Sequence, residues 1–125
     1  MTVLTEPRYL GDVLKYEAPN LYSRDQVTVA AGQQLILGTV VGRVTATGKF
    51  KQLDPAATDG SEAAAGILIV DVDATLIDVD EGLIVARHGI VAAATVVWPD
   101  GITAEQKIAA LAQLKSLGIL VRQGA

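Results

Sequence analysis

The side chains that do chemistry are few in this sequence, and their spacing brings no reactive set together. Cysteine is absent, which removes thiol nucleophiles, disulfides and thiolate metal ligands at once. The single histidine, His88, stands in Arg87-His88-Gly89-Ile90 at an expected turn between strands. With no second ligand at metal-type spacing, it reads as a structural or exposed turn residue rather than a catalytic base. Ser23, Ser61 and Ser116 lie outside any nucleophile-elbow pattern, since Gly60-Ser61 is followed by Glu62-Ala63 instead of x-Gly. Neither a phosphate-binding loop nor a dinucleotide fingerprint occurs. Gly38 and Gly42 have the spacing of a membrane helix-dimer motif, but they belong to a strand-like stretch, where that spacing has no meaning.

Carboxylates are the more abundant material. Between Gln52 and Ala86 stand eight of them (Asp54, Asp59, Glu62, Asp71, Asp73, Asp78, Asp80, Glu81) and no Lys or Arg. In Asp71-Val72-Asp73 and Asp78-Val79-Asp80 the alternation places both acids of a pair on one strand face. Three readings follow: oxygen ligands for Ca²⁺ or Mg²⁺, a solvated charged face that blocks edge pairing, or an electronegative patch for a basic partner. Ala74-Thr75-Leu76 lacks the ligands and glycine of a calcium loop, so no metal site and no cofactor is expected. A different class of function, a small β-module carrying lipoate or biotin, needs a lysine at a hairpin tip in an Asp-Lys or Met-Lys setting. Lys49 lies between Gly48 and Phe50 instead.

The elements that must position these residues are mostly strands. Val27–Val29 and Leu35–Val44 read as short strands with tight turns at Gly32 and Gly38. Val44–Leu53 reads as a hairpin with Thr47-Gly48 at its tip and Val44, Phe50 and Leu53 turned inward. Ile67–Val70 is continuous apolar material expected in a buried strand, Gly82–Gly89 is another strand, and Ile90–Trp98 begins as a strand before its alanines favour a helical turn. One helix is well marked. Thr103 and Gln106 form a capping box, Glu105 sits in the first turn, and Gly118 is placed to stop it. Ile108, Leu111, Ala112, Leu114 and Leu117 are its expected apolar face, and Ile119–Val121 a final strand.

Composition bounds the rest. The 125 residues are half apolar, chiefly Ala, Val, Leu and Ile with 4% aromatics, enough for a single domain core without disulfides or metal. A net charge of −4 offers no basic surface to neutralise phosphates, so nucleic acid is not an expected partner. The longest mainly apolar stretch, Ile90–Trp98, is too short to cross a bilayer, and Met1–Arg8 has no signal-peptide pattern. Synthesis in a reducing cytoplasm is the expectation.

Residues 1–26 differ from 27–125. They hold Pro7, Pro19, all three tyrosines (Tyr9, Tyr16, Tyr22) and charges of both signs, with only Leu10, Val13, Leu14 and Glu17 suggesting a short turn. This segment is read as an extended N-terminal arm that docks on something, and 27–125 as a β-rich domain.

The order of these words has a known likeness. Thr58-Asp59-Gly60, Gly66-Ile67-Leu68 and Val97-Trp98-Pro99, followed by a capped helix, resemble the head decoration proteins of lambda-like tailed phages. Gly32, Gly38-Thr39-Val40 and Gly118-Ile119 share the likeness, which runs from about Val27 to Arg122. The resemblance implies an α+β fold, mainly β with one or two helices: a β-clip-like small barrel or sandwich with an extended N-terminal arm and a C-terminal helix. It implies no enzyme, but a homotrimer on the outer virion surface, at three-fold and quasi-three-fold positions of the expanded capsid, with the major capsid protein as partner. It also implies an arm that orders by adding a strand to the capsid, so Thr2, Val3, Leu4, Thr5, Glu6, Pro7 and Arg8 are the expected contact stretch. Leu10, Val13 and Tyr16 are its expected secondary anchors.

Overall fold

The computed structural model describes residues 10–17 and 22–123. In chain order its elements are α1 (Leu10–Val13), β1 (Leu14–Glu17), β2 (Arg24–Val29), β3 (Gln33–Leu35), β4 (Val40–Arg43), β5 (Phe50–Gln52), β6 (Gly66–Leu68), β7 (Val72–Ala74), β8 (Val79–Val85), β9 (Gly89–Ala92), a 3₁₀ turn (Ala93–Thr95), α2 (Ala104–Ser116) and β10 (Ile119–Arg122). Strands β2-β5-β4-β6-β8 close into a barrel, β3 and β7 pair beside it, and β1-β9-β10 form a separate three-stranded sheet. The fold is thus mainly β, with a small closed barrel and one long helix near the C-terminus.

Side chains alternate across a strand, and here the alternation divides two cores. Val41, Leu68 and Ile84 point into the barrel, where they meet Val29, Leu35, Val72 and Ala74. Their chain neighbours Val40, Ile67 and Val85 point the other way, into a second core with Val91, Ala110, Leu114 and Ile119. Strands β4, β6 and β8 are therefore apolar on both faces, which explains why Ile67–Val70 reads as a continuous apolar run rather than an alternating one.

Turns fall where glycine permits them. Gly60 has φ +107°, and a Cβ there would lie 2.3 Å from Thr45 Oγ1 and 2.6 Å from the Arg43 carbonyl oxygen, so both conformation and space demand glycine. The expected hairpin forms between β4 and β5, with Leu53 buried and Val44 and Phe50 half-buried. Strand β8 begins at Val79 and ends at Val85, earlier at both ends than its sequence suggests. Leu83–Val85 pairs antiparallel with Arg24–Gln26 of the adjacent strand β2, whereas His88 takes a left-handed turn with φ +53°.

Helix α2 carries the full capping box: the Thr103 side chain accepts from the Gln106 amide, and the Gln106 side chain accepts from the Thr103 amide. Its buried face is rotated from the expected one. Ala110 and Leu114 are buried, whereas Ile108 is 67% exposed and Ala112 is exposed. Two features turn it. Ala110 is small enough to let the helix lie close to its neighbours, and Gln113 faces inward because its Oε1 accepts from the Ala64 amide at 2.7 Å.

Candidate binding surface

The described part of the first 26 residues lies against the domain. Leu14–Glu17 pairs antiparallel with β9, and Val13 is fully buried in the second core. Arg24 then grips Glu17 through two hydrogen bonds, 2.8 and 2.6 Å, tying β1 to the first barrel strand. That interaction holds the Arg24 guanidinium above its usual range, chiefly through the hydrogen bonds to Glu17.

The sheet so formed has unequal faces. Its register sets Tyr16 opposite Ile90 and Ile90 opposite Leu120, and directly opposed residues project on the same side. Val91 and Ile119 point to the core, so the row Tyr16, Ile90, Leu120 points outward. Tyr16 is 55% exposed, and Ile90 and Leu120 are half-buried. The three side chains line a shallow cleft of about 290 Å³ with His88, Gly89 and Gly118. Gly118 keeps the floor open: at φ +81° a Cβ would stand 3.0 Å from His88 Cδ2. Among the described residues strand β1 is an edge of this sheet, and α1 directly precedes it.

A polar staple joins this sheet to the barrel. Ser23 Oγ donates to the His88 carbonyl at 2.8 Å, and the Ala86 amide donates to the Ser23 carbonyl. Arg87 pairs with Asp25 at 2.6 Å, donates to the Tyr22 carbonyl and lies 5.2 Å from the Tyr22 ring centroid, while Tyr22 meets His88 edge-on. His88 works in this staple mainly through its backbone.

The capsid-contact residues expected from the sequence divide accordingly. Thr2, Val3, Leu4, Thr5, Glu6, Pro7 and Arg8 lie outside the described residues. Leu10 is half-buried against the second core, Val13 is wholly inside it, and Tyr16 is the anchor left facing outward. Two of the three main sequence motifs meet through Gly38–Val40, whereas Thr58-Asp59-Gly60 lies against Arg43, Thr45 and Lys51. The Thr39 carbonyl accepts from the Leu68 amide, the Gly38 carbonyl accepts from the Val97 amide, and the Val40 amide donates to Val97, so Gly38–Val40 bridges Gly66-Ile67-Leu68 and Val97-Trp98-Pro99. Trp98 packs on the second core, with Lys107 Nζ 5.7 Å from its ring.

Three of the acids between Gln52 and Ala86 have partners far away in sequence, and most of the others accept from residues two positions away. Asp71 accepts from the Leu37 amide, Asp78 from the Ala31 amide and Lys49, and Asp80 from Thr28. Asp73 accepts from Thr75 twice. In the Thr58-Asp59-Gly60 turn, Asp59 accepts from the Ser61 hydroxyl and amide and pairs with Lys51, which holds its carboxyl well below the usual range. Among the described residues no group of three or more His, Asp or Glu could hold a metal, and no helix is long and apolar enough to cross a membrane. Lys49, the residue a carrier domain would need free, is engaged by Asp78 at 2.5 Å.

Geometry alone defines a class: a small mainly β domain whose distinctive surface is an apolar row on an open sheet. The family model for the bacteriophage lambda head decoration protein D matches residues 3–119, and the chain belongs to that family. No curated protein matches it. It is a phage head decoration protein, a structural virion protein associated with the capsid, from a family not known for enzymes.

Proposed function

We propose that this protein is a cement for the phage head. It is made in the host cytoplasm, binds as a homotrimer to the outer surface of the expanded capsid at three-fold and quasi-three-fold positions, and does no chemistry. Separating neighbouring capsid subunits then also costs the interface that each trimer buries, which opposes the outward pressure of packaged DNA.

The observation that carries this reading is the outward row Tyr16, Ile90, Leu120 beside the edge strand β1. An arm entering at that edge is placed to add a strand to a capsid element while the row supplies apolar contact, with backbone hydrogen bonds for affinity and side chains for fit. Thr2 to Arg8 form the contact stretch in this reading. Three such arms on one trimer raise each other's effective concentration once the first has bound.

The test mixes the purified protein with unexpanded and expanded shells of its phage. Binding to expanded shells alone is expected; equal binding to both, or to neither, overturns the reading. Removing residues 1–9 should abolish shell binding and leave the unfolding midpoint unchanged. A longer deletion through Tyr16 is a poorer test, because it also takes Val13 out of the core.

A further inference from the structure

Two further exposed apolar features remain, the second of which shares Leu120 with the outward row. The first is a projection. Leu76 and Ile77, in the loop between β7 and β8, are 89% and 72% exposed, the highest values for large apolar side chains among the described residues. The loop is firmly mounted: Thr75 donates twice to Asp73, and Asp78 accepts from the Ala31 amide and pairs with Lys49. Around it, Asp73, Asp80 and Glu81 are exposed and make the setting acidic.

The second feature is a groove between α2 and the edge strand β10. A cleft of about 280 Å³ there is lined by Leu111, Lys115, Ile119, Leu120, Val121 and Arg122. Lys115 and Arg122 are in no ion pair among the described residues, so this apolar groove carries two available cations. The rotated helix face adds exposed Ile108 beside it.

One copy cannot fill its own groove. The projection sits at the start of β8, and the seven residues of that strand lead away from it toward β9, a run of roughly 20 Å at about 3.3 Å per residue. Projection and groove match in character, apolar against apolar and acid against base, so the fitting occupant is a second copy of this chain. We propose that the 75–78 loop of one copy seats in the α2–β10 groove of the next, with the acids around the loop facing Lys115 and Arg122. Contact between two different patches runs head to tail, and it closes into a ring when the rotation fits three copies. The proposal rests on the homotrimer of the reading above and supplies its interface.

The chain has no cysteine, so introduced thiols report without background. The double variants Ile77→Cys/Leu111→Cys and Ile77→Cys/Ile108→Cys, oxidised with diamide, are expected to give covalent trimers on a non-reducing gel, at least tenfold more than any single variant. Absence of cross-linking in both pairs overturns the proposal, as does equal cross-linking of the single variants, which would signal a symmetric contact. Leu76→Asp/Ile77→Asp, with both sites exposed, should keep the wild-type circular dichroism and shift the native mass from trimer to monomer. A trimeric variant that no longer binds expanded shells would place the loop against the capsid, overturning this interface and leaving the cement reading intact. Cross-linked wild-type-like trimers that bind no shell would support the interface and overturn the cement reading instead.

Discussion

The barrel and the three-stranded sheet are built from the same small and branched residues, yet they meet solvent in opposite ways. The barrel pairs every strand on both sides and spends its apolar side chains on two cores. Among the described residues the sheet stops at β1 and β10, buries one face under the second core and turns Tyr16, Ile90 and Leu120 outward. Closure removes edge strands and with them strand-to-strand pairing with another chain, whereas an open sheet keeps both. In the proposed function, stability and capsid contact thus fall to different parts of a small molecule.

Substitutions can break or sharpen this division. The largest effect on stability belongs to Ile67 of β6, fully buried in the wall between the cores. Ile67→Ala should cost about 2–5 kcal/mol, read as a lower urea midpoint, while the folded fraction still binds shells. Tyr16→Ser should do the reverse: removing an exposed aromatic anchor weakens shell binding roughly tenfold or more and barely moves the midpoint. If Tyr16→Ser unfolds the protein and binding survives, the two regions are not specialised as described. Thr103→Ala deletes the cap of the helix that backs the sheet and should cost about 1 kcal/mol, measured by the same denaturation.

The smallest effect is in acid. Asp59, Asp73 and Asp78 have their carboxyls held below the ordinary range, Asp59 and Asp73 chiefly by Ser61 and Thr75 hydroxyls and Asp78 by Lys49. A lowered folded-state value means the stabilisation is complete above the unfolded value of 3.8 and is lost as pH falls through the folded one. Stability from these groups should hold level from neutral pH to about 5 and decline below about 4. Asp59→Asn should flatten part of that decline; an unchanged acid profile would show that the turn gains nothing from ionised Asp59.

Much of this was legible because it is local. The Thr103 and Gln106 cap, the glycine turns at Gly32 and Gly38, and the change from strand to helical turn after Ala92 each depend on neighbours a few residues away. The illegible parts depend on distant partners. Nothing beside Asp71 or Asp78 in the sequence reveals that the Leu37 and Ala31 amides will meet them, so the sequence leaves a cation, a solvated face and a basic partner as readings of acids that pin loops. Hydropathy placed Ile108 inward because it cannot count the hydrogen bond that turns Gln113 toward Ala64. Tyr16 stands out in the sequence as an aromatic in an unusual segment, but its row with Ile90 and Leu120 exists only through register.

That register also sets a timetable. All five barrel strands come from one continuous stretch, Arg24–Val85, whereas the outward row is assembled from Leu14–Glu17, Gly89–Ala92 and Ile119–Arg122. Chains emerge from the ribosome amino end first, so the barrel has all its strands while β10 is still untranslated. Until Leu120 is added, the row has only two members and the groove beside α2 has no second wall. A nascent chain therefore holds every barrel strand before it holds a complete outward row, so the closed part of the domain is specified ahead of this sheet's exposed face.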